Sequence, residues 1–396
     1  MSLTKTTYEK DLYPEIDEAS QSDYGRDCLE QAGAQLARGL IDRRSFVRIA
    51  AMLGAMPLAT RPTTAVAAPK ELVMVNWGGD SKPAYAKAFC DPFEQATGVK
   101  VAQDGSGPLP AKLRAMVQSR KVVWDLLDFD ASKALVLDSE GLLEQIDYSI
   151  VDRNKVYPGW AYGAGVASYI YSCVLCFDES KFPGVKPNTW RDFWDVAKFP
   201  GKRGMRKTPE GQIEACMMAA GRSIKDVYPI DLDLVIAKVR ELRPHLIAWT
   251  SGSQSQDLLR GEEVTMCNLW HSRAASLFKA SNGRFDWTWN EGLINVDTWA
   301  VPRGNPAGRE ASMRFIAFAQ DPQRQVELLG ILGNGPVNPA AAALVPEAMK
   351  RFDPMQPQHR AVQAELNAEW WNSPSGKGDK SNDTLVREVW LDALSA

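Results

Sequence analysis

The sequence is poor in histidine, has no excess of positive charge and contains no long apolar run. Its three histidines, His245, His271 and His359, do not form a cluster with the spacing of a metal site. A net charge of −3 at pH 7 argues against nucleic acid or an anionic membrane as the partner. A bilayer-spanning helix needs ~20 apolar residues, and the apolar run 49–59 is shorter. We therefore expect no metal, no nucleic-acid partner and no membrane-spanning helix.

The sequence also lacks the motifs of the common enzyme classes. It contains no nucleophile elbow, no paired acid–base carboxylates, no phosphate-binding loop and no H-E-x-x-H motif. The glycine-rich turn 105–110 lacks the lysine that a phosphate-binding loop needs. These absences favour a binding protein over an enzyme and predict that the chain has no cofactor.

An arginine pair near the N-terminus precedes a mild apolar run and a stretch of small residues. The segments are Asp42-Arg43-Arg44-Ser45-Phe46-Val47-Arg48, the run 49–59 and Ala65-Val66-Ala67. They resemble a twin-arginine export signal with an A-x-A cleavage site, which places the mature protein in the periplasm. The alternative is a basic turn before an ordinary helix. We assign 1–67 to the signal region, whose acidic part, 1–41, is either an amphipathic helix or the product of a wrongly assigned start codon.

Five cysteines follow the proposed cleavage site, so at least one of them is unpaired within a monomer. Cys173 and Cys176 form a C-x-x-C motif, but the motif lies in an apolar, strand-like run. Residues three apart in a strand point to opposite faces of the sheet. We therefore expect buried cysteine side chains rather than a redox or metal site.

Strand and helix patterns alternate after residue 70. The first strand pattern is 72–75, and further strand and helix patterns follow it up to residue 140. Later in the chain, Thr189 is a candidate helix N-cap, and 232–242 and 322–332 are helix patterns. The alternation predicts that 70–140 forms an α/β domain with a largely parallel sheet. Ligands of such sheets bind outside the carboxyl ends of the strands. Trp77, Asp80, Asp128 and Asp130 lie there, and for Asp130 we favour the alternative role of capping the next helix.

Several short stretches together carry a family resemblance. They are Asn76-Trp77, Glu94-x-x-Thr97-Gly98-Val-Lys-Val101, Trp124-Asp125-Leu126, Ser139-Glu140-Gly141-Leu142-Leu143, Thr189-Trp190-x-Asp192-x-Trp194, Gly261-Glu262-Glu263-Val264, Trp270-His271-Ser272-Arg273, Asp297-Thr298-Trp299-Ala300-Val301-Pro302 and Asn367-Ala368-Glu369-Trp370. In this order they resemble the periplasmic solute-binding proteins of ABC importers, in the spermidine/putrescine-binding branch. The resemblance implies a monomer that captures a solute and delivers it to a permease and ATPase in the inner membrane.

The resemblance also implies the architecture. It predicts a periplasmic-binding-protein fold, in which two α/β lobes are joined by hinge crossings and close on the solute. We place lobe 1 at 69–167 plus 298–346 and lobe 2 at 168–297 plus 347–396. The evidence for these boundaries is a glycine-rich change of character near 157–166 and a strand pattern that crosses Asp297.

The polyamine-type ligand site is matched only in part. Trp77, Trp270 and Asp297 match positions that sandwich an aliphatic chain and pair with an ammonium group in the family, and Glu210 lies where the family has another acid. Four positions depart from the family pattern: Ile213 replaces an acid, Asn295 and Asn334 replace aromatic residues, and Trp371 replaces a glutamine. The resemblance therefore implies a small organic cation that resembles a polyamine.

Arg273 opens an alternative ligand class. It follows Trp270 by three residues, so both side chains can project toward the cleft, and a guanidinium group binds carboxylates in a bidentate manner. An amino-acid or opine-like solute with an amine and a carboxylate would suit Asp297 together with Arg273. In the structural alternative, Arg273 pairs with Glu262 or Glu263.

Overall fold

The computed structural model describes residues 69–395 and, in addition, residues 32, 34, 35 and 41. The arginine pair and the cleavage motif of the signal region lie outside the described residues. Within the described part of the chain, no helix combines the length and the apolar composition that crossing a membrane requires.

Nine strands form one sheet. They are β1 Glu71–Val75, β2 Lys100–Asp104, β3 Leu126–Asp130, β4 Val166–Asp178, β5 Arg203–Arg206, β6 Leu246–Trp249, β7 Met266–Trp270, β8 Phe285–Ala300 and β9 Ala364–Glu365. The strand order is β2-β1-β3-β8-β4-β7-β5-β6, and β9 pairs with β8. Helices connect the strands and cover the sheet.

The α-helices are α1 Ser81–Tyr85, α2 Asp91–Thr97, α3 Pro110–Gln118, α4 Ala131–Ser139, α5 Trp190–Trp194, α6 Ile213–Ala219, α7 Leu232–Leu242, α8 Gly252–Arg260, α9 His271–Ala280, α10 Arg309–Ala319, α11 Pro322–Leu332, α12 Glu347–Lys350, α13 Pro357–Arg360, α14 Ala368–Asn372 and α15 Asn382–Ser395. A π-helical segment, Ala86–Cys90, joins α1 to α2. Thr189 caps α5 through a capping box with Asp192, which confirms the predicted N-cap. The C-terminal segment contains two separate helices, α14 and α15.

The sheet as a whole is mixed, and the parallel pairing predicted for the strands within 70–140 is confirmed for β1, β2 and β3. β1 pairs in parallel with β2 and β3, and β5 pairs in parallel with β6 and β7. Between these two groups lie the long strands β4 and β8, which are antiparallel to each other and to their neighbours β7 and β3. The predicted lobe boundaries at 167/168 and 297/298 fall inside these two long strands, and the division itself stays a prediction.

Most of the large aromatic side chains are core residues. Trp124, Trp190, Trp249, Trp299, Trp371 and Trp390 are all fully buried, and every residue of β4 is buried. Cys90, Cys173, Cys176, Cys216 and Cys267 are buried and free. Cys173 lies against Gly211, whereas Cys176 of β4 lies opposite Cys267 of β7 in the sheet. The predictions that Cys173 and Cys176 are buried and that at least one cysteine is unpaired are therefore confirmed.

Candidate ligand-binding site

A cavity of about 340 Å³ lies where the ends of several strands meet. Its lining includes Trp77 after β1, Asp130 at the end of β3, Arg206 at the end of β5, Trp270 at the end of β7, and Asp297 within β8. Strand order brings these residues together although they are far apart in sequence. This placement agrees with the rule that ligands bind beyond the carboxyl ends of parallel strands.

Asp297 forms the acidic end of the cavity. In the sheet it lies opposite Asp130 of β3 on one side and opposite Tyr169 of β4 on the other. Its Oδ2 accepts hydrogen bonds from Trp77 Nε1 at 2.9 Å and from the Tyr169 hydroxyl at 2.5 Å. Its Oδ1 is buried and has no hydrogen-bond partner among the described residues. One carboxyl oxygen is therefore fixed by the protein, and the other is left to accept a bond.

The two neighbouring carboxyl groups are in opposite ionisation states near neutral pH. Burial and then the charge of Asp130 raise the pKa of Asp297 to about 8, despite the hydrogen bonds from Tyr169 and Trp77. Burial also acts to raise the pKa of Asp130, but the Lys133 ammonium group and the Tyr171 hydroxyl outweigh it and hold that pKa well below its usual range. Asp130 is thus an anion paired with Lys133, and Asp297 keeps its proton until the pH approaches 8.

Arg206 and Arg273 form the basic end of the cavity. The Arg206 guanidinium carbon lies 4.7 Å from the ring centroid of Trp270, and its Nε is buried without a partner among the described residues. The main chain of Arg206 is held by Gln212 Oε1, which accepts from its N–H, and by Trp390 Nε1, which donates to its carbonyl. Arg206 therefore presents an unused donor from a fixed backbone position.

Arg273 pairs with Asp80, which excludes its predicted pairing with Glu262 or Glu263. Arg273 Nη1 lies 3.0 Å from Asp80 Oδ2, and the Asp80 side chain is 64% exposed. A Cβ atom at Gly252 would lie only 2.6 Å from Arg273 Nε and 3.0 Å from the Trp270 ring. A glycine at the start of α8 thus lets that helix approach both side chains.

Both cavity tryptophans already contact a cation of the protein itself. Arg206 lies over Trp270, and Lys133 Nζ lies 5.7 Å from the Trp77 ring centroid. The indole N–H of Trp77 also donates a hydrogen bond to Asp297. One face of each ring therefore already contacts a protein cation. The prediction that the two rings sandwich a cationic ligand can apply only to their other faces.

Six of the ten predicted site residues line the cavity. They are Trp77, Asp80, Trp270, Arg273, Asp297 and Asn334. The structure shows where these side chains lie, and ligand contact itself stays a prediction for each of them.

The structure places the other four predicted residues away from this cavity. Asp128 is fully buried behind it and accepts a hydrogen bond from the Tyr85 hydroxyl at 2.7 Å. Glu210 is buried and paired with Arg387. Asn295 contacts Cys173 Sγ and lines a separate small cavity, and Trp371 is a core residue whose Nε1 donates to Glu214 and Tyr228. Each of these side chains is thus occupied with interior partners.

Sequence reasoning missed three prominent cavity residues, Tyr169, Tyr171 and Arg206, and favoured the wrong role for a fourth, Asp130. Asp130 was expected to cap α4, but its carboxylate makes no capping bond and accepts from Tyr171 and Lys133 instead. Tyr169 and Tyr171, two apart in β4, point to the face that carries Asp297, and their spacing was a usable signal. Arg206 gave no signal, because the strand Arg-Gly-Met-Arg has no apolar alternation.

Comparison with known proteins identifies the family. Residues 88–354 match the family model described as bacterial extracellular solute-binding protein. The γ-aminobutyric acid (GABA)-binding protein of Pseudomonas aeruginosa PAO1 is 31% identical over 308 residues, which are 76% of this chain and 87% of that protein.

Solved structures give the same family and fold. The Atu4243–GABA receptor is 30% identical with a TM-score of 0.73, and the match covers 82% of this chain and 97% of that one. The binding protein AgtB of Agrobacterium tumefaciens R10, in complex with agropinic acid, is 28% identical with a TM-score of 0.73. The match covers 82% of this chain and 99% of that one.

The polyamine branch of the resemblance is not supported by these comparisons. The spermidine/putrescine protein PotD of Streptococcus pneumoniae is 14% identical with a TM-score of 0.64, covering 82% of this chain and 98% of that one, and at this identity it supports the fold alone. The two-lobed fold predicted from the sequence is confirmed. The chain belongs to the bacterial extracellular solute-binding protein family, whose members are exported solute receptors of ABC transporters and not enzymes.

Proposed function

We propose that this protein binds a small solute that carries both an ammonium group and a carboxylate, such as an amino acid or an opine. The observation that carries the proposal is the pair of unused buried atoms in one cavity: Asp297 Oδ1, an acceptor, and Arg206 Nε, a donor. Leaving a buried polar atom without a partner costs about 1–3 kcal/mol. A zwitterion could satisfy both atoms at once, with its ammonium group at Asp297 and its carboxylate at Arg206.

A polyamine fits this cavity less well. Its two ends are both cationic, so one of them would lie near Arg206 and Arg273 at the basic end. Like charges in a site of low dielectric repel, and one face of each cavity indole already contacts a protein cation. The predicted small organic cation is therefore our second candidate, and the amine-plus-carboxylate alternative becomes the first.

The relatives support this choice of ligand class. One curated relative binds GABA, and solved relatives hold agropinic acid and glucopine. GABA itself carries an amine and a carboxylate at its two ends. The cavity volume of about 340 Å³ lies in the range that small-molecule sites occupy.

Calorimetric titration with GABA, agropinic acid, glucopine and putrescine tests the proposal. We expect at least one of the first three to bind and putrescine to bind far more weakly. Arg206→Gln should weaken the bound zwitterion by ~30-fold or more, since truncating one partner of a buried charged pair costs roughly 2–5 kcal/mol. The matched control is Arg314→Gln, an exposed arginine paired only with Glu310. Tight binding of putrescine, with an affinity that Arg206→Gln leaves unchanged, would contradict the proposal.

We also propose that the chain is exported through the twin-arginine pathway. The support is the Arg43-Arg44 pair ahead of its mild apolar run. Changing both arginines to lysine should hold the precursor in the cytoplasm, as cell fractionation would show. Normal accumulation of the double variant in the periplasm would rule the pathway out.

Lobe closure is the mechanical part of the proposal. We propose that 69–167 plus 298–346 moves against 168–297 plus 347–396 about the long strands β4 and β8. The Asp80–Arg273 pair joins a residue of the first set to a residue of the second beside the cavity. Small-angle scattering should show a smaller radius of gyration with ligand bound, and an unchanged radius would argue against closure.

A further inference from the structure

Three carboxyl groups share one face of the sheet beside the cavity. Asp128 and Asp130 are two residues apart in β3, so they point to the same side. Asp297 of β8 lies directly opposite Asp130, and cross-strand neighbours of this kind have Cβ atoms about 4.5–5.5 Å apart. Asp128 is the next acid along the same face. Three acids therefore occupy adjacent positions, of which Asp128 and Asp297 are buried and Asp130 is 14% exposed.

The surroundings of the three acids are unequal. Asp130 has a cation, Lys133, in direct contact. Asp297 and Asp128 are buried and receive only neutral donors: the hydroxyl groups of Tyr169 and Tyr85, and the Trp77 indole. Asp128 Oδ1, like Asp297 Oδ1, has no partner among the described residues. The titratable and charged groups that face Asp297 are Asp128 and Asp130 on β3, Tyr169 and Tyr171 on β4, Tyr85 on α1 and Lys133 on α4, with Arg206 of β5 beside Asp130.

We propose that Asp297 holds a proton in the ligand-free protein, that the ammonium group of the solute displaces this proton into solvent, and that Asp128 stays neutral before and after. The inference rests on the proposed function, since it needs an ammonium-bearing ligand. Only the O–H bond of Asp297 is broken. The ammonium group keeps its own protons, the carboxylate pairs with it, and the released proton goes to the buffer.

The physical reason is burial of Asp297 together with the crowding of like charges. Adjacent carboxylates in a dry site cannot all be ionised, so one or more of them keeps its proton. Lys133 fixes the negative charge on Asp130, and Asp297 beside it then has no cation of its own. The ligand supplies that cation. Without burial and this crowding, Asp297 would already be an anion and binding would release no proton.

The consequence is a pH-dependent affinity with a definite sign. With the pKa of Asp297 at about 8, most molecules hold the proton at pH 6.5 and few hold it at pH 9. Binding should therefore release about one proton per ligand at pH 6.5 and nearly none at pH 9. The affinity should weaken roughly tenfold for each pH unit below 8. If Asp130 were the ammonium acceptor instead, no proton would be released, because it is already ionised.

Titration calorimetry in pairs of buffers with different ionisation enthalpies counts the released protons. With GABA as the probe, the expected counts are about one at pH 6.5 and near zero at pH 9. Asp128→Asn is the matched control: it should keep the full proton release, because Asp128 is neutral already. Asp297→Asn should release none. Binding of GABA at pH 6.5 without proton release, or loss of the release in Asp128→Asn alone, would overturn the inference.

Infrared spectroscopy of the ligand-free protein separates this inference from the proposed function. A protonated buried carboxyl group has its own carbonyl stretch, and we expect a component that disappears as the pH rises through about 8 and is missing in Asp297→Asn. Absence of that component overturns the inference whatever binds. If GABA, agropinic acid and glucopine all fail to bind, the proposed function fails, and the spectrum still decides whether Asp297 holds a proton.

Discussion

The two ends of the cavity are built on different physical principles. The acidic end consists of side chains on neighbouring strands of a buried sheet, and Asp297 there is only 2% exposed. The basic end lies nearer to solvent, where Arg273 pairs with an aspartate that is 64% exposed. Burial therefore controls the ionisation of the acidic end, whereas the basic end holds cations that stay charged. The comparison teaches that a single cavity can combine a charge that depends on pH with one that does not.

Asp297→Asn should produce the largest effect on binding. The change keeps the shape and the acceptor for Trp77 and Tyr169 but removes the negative charge, so the ammonium group loses its partner. We expect an affinity loss of ~30-fold or more, from about 2–5 kcal/mol, measured by calorimetry at pH 9. Asp257→Asn, an exposed aspartate paired only with Arg260, is the control. If Asp297→Asn bound the solute as tightly as the wild type, the acidic end would have no role in binding.

The stability of the ligand-free protein should also depend on Asp297. Its folded-state pKa is raised by burial and by Asp130, so its contribution is fully present below the unfolded pKa of ~3.9 and is lost as the pH rises through about 8. The free energy of unfolding of Asp297→Asn should therefore equal that of the wild type near pH 4. At pH 8 it should exceed the wild-type value by on the order of a few kcal/mol. Denaturant titrations at several pH values measure this difference. A variant that is less stable at pH 8 would contradict the assignment.

Trp270→Leu should affect only the basic end. The Trp270 ring supports the Arg206 guanidinium group at 4.7 Å, and such contacts contribute ~0.5–2 kcal/mol. We expect a zwitterion to lose roughly 3- to 30-fold in affinity, while proton release from Asp297 on binding is unchanged. Altered proton release would show that the two ends are not independent.

Asp80→Asn should have the smallest effect. Asp80 is exposed, and ion pairs at such sites contribute ~0–1 kcal/mol. Removing its charge frees Arg273, so a carboxylate-bearing solute should bind up to about fivefold more tightly at low salt, with the gain vanishing at high salt. A loss of binding larger than about tenfold would mean that Asp80 itself contacts the ligand.

Local patterns in the sequence predicted much of the fold. The helices at 232–242 and 322–332 have the predicted bounds, and Thr189 caps α5 as expected, because these features depend on residues within one or two turns. The short strand Arg203–Arg206 was not predicted, since its polar composition resembles a loop. The antiparallel pairing of β4 with β8 depends on contacts across more than a hundred residues, which no local pattern contains.

The candidate site was predicted in part for the same reason. Trp77, Trp270 and Asp297 could be located because each lies in or next to a strand pattern or matches the family. The charge balance could not be derived, because it depends on Lys133 pairing with Asp130 and on Arg206 reaching the cavity from β5. Acids at strand ends therefore suggested a polyamine, whereas the assembled site contains cations that favour an amine-plus-carboxylate solute.

The central claim is that one solute satisfies both ends of the cavity. A crystal structure of the protein with the tightest-binding zwitterion from the calorimetric screen tests this most directly. The account predicts the ammonium nitrogen within hydrogen-bond distance of Asp297 Oδ1 and a carboxylate oxygen within hydrogen-bond distance of Arg206 Nε. A ligand in the reverse orientation, or one that leaves either atom without a partner, would contradict the account.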